Sequence, residues 1–186
     1  MPTNDLKQQL VALLKQRSLK LGDFTLSSGK KSTYYVDARR TTMSAAGQQI
    51  IGELALARLR ARNWTPDCIG GLTLGADPVA YAIAHASRSA PPLIDAFTVR
   101  KEAKSHGTGQ LIEGCFEPGA RVVIIEDVFT TGGSALRAVE AVRAARGTVL
   151  GVLGVVDRQQ GGIEALTGAG LETEALVSIH DLGVKP

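Results

Sequence analysis

Residues 122–135 read VVIIEDVFTTGGSA. Four apolar residues, Val122 to Ile125, run into two adjacent carboxylates, Glu126 and Asp127, and then into Thr130, Thr131, Gly132, Gly133 and Ser134. The apolar run predicts a buried strand over 121–126, and the residues beyond the glycines predict a helix over 134–146. Two glycines let the backbone turn tightly and present its N–H groups. The three hydroxyls add donors, and the start of a helix adds partial positive charge. Together these make an anion cradle suited to a phosphate monoester. Glu126 and Asp127 can accept hydrogen bonds from vicinal hydroxyls or help hold hydrated Mg²⁺. A phosphate cradle beside a hydroxyl-accepting acid pair describes a ribose 5-phosphate site. A second reading stays open: a strand, a turn and a helix capped by Thr or Ser, with the acids solvated. Two competing nucleotide motifs are missing. SGKKST lacks the first glycine of a P-loop, and no G-x-G-x-x-G follows a predicted strand.

A second stretch, VRKEAKSHGTG (99–109), carries Arg100, Lys101, Lys104 and His106 against one acid, Glu102. Such a stretch is either a solvated basic surface loop or a means of stabilising negative charge on a departing group. Gly107 and Gly109 would let it open and close over a site.

Positioning these groups requires a scaffold, and the pattern along the chain supplies one. Helices are expected at 5–19, at 44–62 with Ser44 as N-cap, at 77–86 and at 134–146. Two short strands around a Ser-Gly turn are expected at 22–39. Further strands are expected at 68–72, 93–100, 121–126, 148–157 and 175–182, and 101–110 reads as an exposed loop. Strands alternating with helices give an α/β fold with a mainly parallel sheet. Continuous apolar strands such as 122–125 belong in a sheet covered on both faces. Ligands of such sheets bind beyond the carboxyl ends of the strands.

Composition sets the frame. The 186 residues are 44% hydrophobic and 21% charged, and suit a single domain with a sizeable core. The net charge of +3, from 21 basic and 18 acidic residues, gives no bulk reason for nucleic-acid binding. Cys68 and Cys115 have no zinc or CxxC spacing and read as reduced thiols. No signal-peptide apolar region opens the chain, and the most apolar run, 148–156, is too short to span a bilayer. These features predict a cytoplasmic protein with no membrane partner.

VVIIEDVFTTGGSA resembles the phosphoribosyl-pyrophosphate motif of the type I phosphoribosyltransferases. The 99–109 stretch resembles the catalytic loop of one branch, the orotate phosphoribosyltransferases. GDFTLSSGKKSTYYVD (22–37) is similar to their N-terminal segment, and VVDRQQGG (155–162) to their late strand, which ends in an arginine. The resemblance covers nearly the whole chain. It implies the type I phosphoribosyltransferase fold, a central mainly parallel sheet flanked by helices, as one domain over 1–186. A small N-terminal hood would come from roughly 1–40 plus the C-terminal segment, with a flexible catalytic loop at 100–110.

The implied activity is transfer of ribose 5-phosphate from 5-phosphoribosyl 1-pyrophosphate to N1 of orotate, in de novo pyrimidine biosynthesis. By resemblance, Glu126 and Asp127 bind the ribose hydroxyls, and Val128, Phe129, Thr130, Thr131, Gly132, Gly133 and Ser134 surround the 5-phosphate. Arg100, Lys101, Lys104 and His106 are the implied catalytic residues and bind the pyrophosphate. GLTLGADP (71–78) matches a loop that contacts pyrophosphate through its backbone. Arg158, Thr130 and Tyr35 would meet orotate, where Arg158 offers a planar fork to a carboxylate. Tyr34 and Tyr35 fall where the family packs aromatics beside the base, and on a strand they alternate faces.

Mg²⁺ is the implied cofactor, held mainly through substrate, with Asp127 reaching it through water and no direct protein ligand. The implied assembly is a homodimer whose 100–110 loop completes the neighbouring site, with no nucleic-acid partner. The end of the chain at Pro186 implies that the following step of the pathway belongs to a separate protein. Two departures stand out. Some members have lysine where this chain has Ser27, and some have lysine where it has Gly75. The alternatives are a purine or uracil phosphoribosyltransferase, which the basic loop and Arg158 disfavour, and a catalytically silent phosphoribosyl-pyrophosphate-sensing regulator.

Overall fold

Leu6, Leu10 and Leu14 recur every four residues and bury one face of the first helix, α1 (Thr3–Arg17). The computed structural model describes residues 3–25, 29, 31–102 and 111–184. Strands β1 (Leu19–Thr25) and β2 (Lys31–Val36) pair antiparallel in a two-stranded sheet of their own. A short helix, α2 (Arg39–Thr42), leads to α3 (Ala45–Ala61). Ser44 caps α3 as the sequence predicts, its hydroxyl accepting from the Gly47 N–H at 3.1 Å.

The main sheet then alternates with helices: β3 (Cys68–Leu72), α4 (Ala76–Ser87), β4 (Asp95–Val99), β5 (Ile112–Gly114) and β6 (Arg121–Phe129). It continues through α5 (Gly133–Ala144), β7 (Thr148–Asp157), α6 (Gly162–Gly168) and β8 (Thr173–Ser178). Its order is β5-β4-β3-β6-β7-β8, and every pair is parallel except β4–β5. The direction of winding reverses between β3 and β6, the place where such sheets open a crevice for ligands.

Strand alternation explains why Val122 to Ile125 are all apolar. Val123 and Ile125 join a core with α1, α3 and α4, whereas Val122 and Ile124 join a core with α5 and α6. Three short elements escape the sequence reading: α2, β5 and α6. The last strand covers 173–178 rather than 175–182. Residues beyond it turn back, with Asp181 Oδ2 accepting from the Ser178 N–H at 2.8 Å. No helix among the described residues is long and apolar enough to cross a membrane.

Candidate active site

A cleft of about 540 Å³ opens at the carboxyl ends of β3 and β6, and Glu126, Asp127, Val128, Thr130 and Ser134 line one side of it. The predicted strand ends at residue 126, but β6 runs on to Phe129 because its pairing with β7 continues to Phe129↔Asp157. The two acids therefore lie inside the strand rather than beyond it. Glu126 is 8% exposed. Burial, and then the neighbouring Asp127 charge, push its carboxyl up to about 8. Asp127 is also pushed up by burial, against the opposing pull of hydrogen bonds and of Arg39. A buried carboxyl held this high, beside a half-buried one that is also raised, is short of compensating charge or donors. The pair suits a cation, or a ligand that offers hydroxyls.

Beyond the strand, Gly132 adopts φ 80°, a left-handed conformation that favours glycine, and stands at the N-cap of α5 with no side-chain cap. The alternative of a Thr- or Ser-capped helix is thereby excluded: the first-turn N–H groups of α5 have no hydroxyl on them. The loop is backed by α6. A Cβ on Gly162 would come within 2.8 Å of the Thr130 carbonyl, and one on Gly132 within 3.0 Å of the Gly162 carbonyl. Glycine at both places lets α6 abut the loop and fix its shape.

Arg158 lines the opposite part of the cleft and is only 7% exposed. Its guanidinium carbon lies 5.1 Å from the centre of the Tyr34 ring, a cation–π distance. Its Nε and Nη2 are buried with no hydrogen-bond partner among the described residues, and so is the Tyr34 hydroxyl. Burying such donors unpaired is costly, so they mark a place prepared for acceptors. Arg158 is anchored through its backbone, whose N–H donates to the Phe129 carbonyl at 3.1 Å.

The β3–α4 connection, Leu72 to Gly75, forms a further wall. Asp77 steadies it by accepting from the Thr73 hydroxyl at 2.7 Å and from the Thr98 hydroxyl. A Cβ at Gly75 would stand 2.6 Å from Asp127 Oδ1, so the glycine leaves room for that carboxylate. Beside this wall lies Arg39, which the sequence reading did not select. Its Nε donates to Asp37 Oδ1 at 2.9 Å.

Several predicted residues fall elsewhere. Phe129 is fully buried, and its ring packs where a Cβ of Gly154 would be, so its side chain belongs to the core rather than to the cleft. Arg100 does not line the cleft; its Nη1 donates to Glu113 Oε1 at 3.1 Å, across the β4–β5 pair. Lys101 does line it, and its carbonyl accepts from Arg137. Tyr35 lines the cleft, while Tyr34 lies buried beneath Arg158. Thr131 is exposed, and neither Thr131, Gly132 nor Gly133 is among the lining residues. Lys104 and His106, like Ser27, lie outside the described residues. Among the described residues no three His, Cys, Asp or Glu side chains gather as a metal cage.

A mainly parallel sheet with a central switch point, an acid pair near the carboxyl end of one strand there and an uncapped glycine loop after it fit one class, the type I phosphoribosyltransferases. Comparison with known proteins narrows this. No family model matches the chain. An orotate phosphoribosyltransferase of Rhodopirellula baltica is 44% identical over 181 residues, covering 95% of this chain and 94% of the relative. One from Aquifex aeolicus is 47% identical over 179 residues, covering 95% and 97%. Among solved structures, Mycobacterium tuberculosis orotate phosphoribosyltransferase in complex with Fe(III) dicitrate superposes with a TM-score of 0.87 at 45% identity, covering 96% of this chain and 99% of the other. The same enzyme in complex with 5-phospho-α-D-ribosyl 1-diphosphate gives 0.81 at 43%, again covering 96% and 99%. The chain belongs to the orotate phosphoribosyltransferase family.

Proposed function

We infer that this chain transfers ribose 5-phosphate from 5-phosphoribosyl 1-pyrophosphate to N1 of orotate, releasing pyrophosphate in pyrimidine biosynthesis. One observation carries the reading. A single cleft is lined by the buried Glu126, the half-buried Asp127, Thr130 and Ser134 flanking an uncapped helix start, and a buried arginine with two unpaired nitrogens.

The donor's 5-phosphate sits on the 130–134 loop, where backbone N–H groups and the Thr130 and Ser134 hydroxyls meet its oxygens. Glu126 and Asp127 accept from the ribose 2- and 3-hydroxyls, and those donors compensate the two carboxylates. The diphosphate end lies toward the Leu72–Gly75 wall and Lys101. Arg158 offers its unpaired edge to the orotate carboxylate, with Thr130 and Tyr35 beside the ring. Orotate N1 bonds to the anomeric carbon as the bond from that carbon to the diphosphate oxygen breaks, and the N1 proton passes to water. Positioning and stabilisation of the leaving diphosphate supply most of the catalysis, with Arg100, Lys101, Lys104 and His106 as the cations of the 100–110 loop. Asp127 would hold Mg²⁺ through water, with the ion carried mainly by the donor, and the ion would supply positive charge against the leaving diphosphate.

The proposal includes a homodimer in which the 100–110 loop reaches the neighbouring site, with roughly 1–40 and the C-terminal segment as a hood over the substrates. Both cysteines are free, and the proposed compartment is the reducing cytoplasm.

The test mixes protein, Mg²⁺ and 5-phosphoribosyl 1-pyrophosphate with orotate, adenine, guanine, hypoxanthine or uracil, and follows base absorbance. Turnover of orotate alone is expected. Turnover of a purine or of uracil instead would reassign the acceptor, and turnover of none would point to a regulator.

A further inference from the structure

Three cations line the cleft among the described residues: Arg39, Lys101 and Arg158. Arg158 is committed to the Tyr34 side. Lys101 precedes the 103–110 segment and belongs to no helix or strand. Arg39 is different. It opens α2, whose Thr41 and Thr42 are fully buried, and the Thr41 hydroxyl shares a 2.7 Å hydrogen bond with Ser18. The turn into α2 is closed by the Ala38 carbonyl, which accepts from the Thr41 and Thr42 N–H groups at 2.8 Å each. Arg39 thus stands on a fixed piece of backbone at the cleft wall.

Its side chain is only partly engaged. Asp37 takes Nε, and the two terminal nitrogens make no hydrogen bond to any described residue. Asp37 first, and Asp127 more weakly, hold the guanidinium above its usual range, while Arg39 in turn draws Asp127 down. Arg39 is therefore electrostatically in touch with Asp127. The wall facing this region, Leu72, Thr73, Leu74 and Gly75, has no charged side chain, and Gly75 has no room for a Cβ without moving Asp127. A diphosphate lying past the ribose would meet no cation on that wall.

We propose that Arg39 is a binding residue for the diphosphate end of the donor, presenting its terminal nitrogens to diphosphate oxygens while Asp37 steers the guanidinium from Nε. The chemistry suits the residue. A guanidinium offers parallel N–H groups to phosphate oxygens, and its Nε can remain on a carboxylate at the same time. The inference rests on the donor orientation proposed above.

The test compares wild type with Arg39→Ala, Arg39→Gln and Arg39→Lys. Inorganic pyrophosphate with Mg²⁺ is titrated calorimetrically, and KM is measured separately for 5-phosphoribosyl 1-pyrophosphate and for orotate. Arg39→Ala and Arg39→Gln should weaken pyrophosphate binding and raise the donor KM by roughly 10–100-fold. The orotate KM should stay within about twofold, and Arg39→Lys should fall between. Melting temperatures of the variants should stay close to wild type, because the Arg39–Asp37 pair is half exposed. If wild type turns over orotate and both neutral variants bind pyrophosphate as wild type does, Arg39 has no such role. If wild type turns over no base, the functional reading fails, while the pyrophosphate titration still decides for or against Arg39.

Discussion

Glu126 shows how a side chain can be costly to the fold and useful to the ligand. Its carboxyl is pushed up to about 8, whereas an unfolded glutamate titrates near 4.3. The folded state therefore holds the proton more tightly, and stability falls as pH rises from about 4 through about 8. Glu126→Gln removes that loss. Its melting temperature should match wild type near pH 4 and exceed it by several degrees near pH 8, followed by calorimetry without ligand. The same variant should bind the donor more weakly. Arg158 makes the converse case, a buried cation with two unpartnered nitrogens that the proposed function assigns to the orotate carboxylate. Arg158→Lys keeps the charge but loses the planar fork, so the orotate KM should rise roughly 10–100-fold while the donor KM stays within about twofold in steady-state assays. The residues of the acid pair and the phosphate loop are legible in sequence because they adjoin one another along the chain. Arg39 and the role of Tyr34 are not, because each acquires its neighbours only through the tertiary fold. Phe129 misleads for a related reason: it lies within the motif, but strand alternation turns its ring into the core.

At the scale of elements, long apolar runs are the readable ones. Strands β3 and β7 occupy the spans the sequence predicts, 68–72 and 148–157, because β3 is buried throughout and β7 is buried from Gly151 onward, with apolar side chains on both faces. The elements α2, β5 and α6 have four, three and seven residues. None is long enough to display a period, and each is held by what it packs on. Strand β6 outruns its apolar stretch because β7 continues to pair with it beyond Ile125. The join between β6 and α5 is a turn that depends on glycine. Gly132→Ala places a side chain at φ 80° and close to the Gly162 carbonyl. It should cost about 1–2 kcal/mol and lower the melting temperature by roughly 3–8 °C. Donor affinity should fall as well, since the substituted turn no longer presents the same N–H groups.

For the whole molecule, the proposed dimer predicts complementation. A Lys101→Ala/Lys104→Ala protein and a Glu126→Gln/Asp127→Asn protein, each inactive alone, should regain part of wild-type activity when mixed and allowed to exchange subunits. No recovery in mixtures shown by native mass spectrometry to contain hybrid dimers would mean that each loop serves its own subunit. A different consequence follows from the hydrogen bond between the Arg158 N–H and the Phe129 carbonyl. It ties the backbone of Arg158, the proposed orotate residue, to the last residue of the strand that carries the acid pair, so the two proposed half-sites hang from one ladder. The sheet sets the backbone separation between them, and packing on Tyr34 places the guanidinium. An inhibitor joining a phosphate to a carboxylate across the two would gain most from a stiff connector, because the frame that carries both ends does not adjust to it.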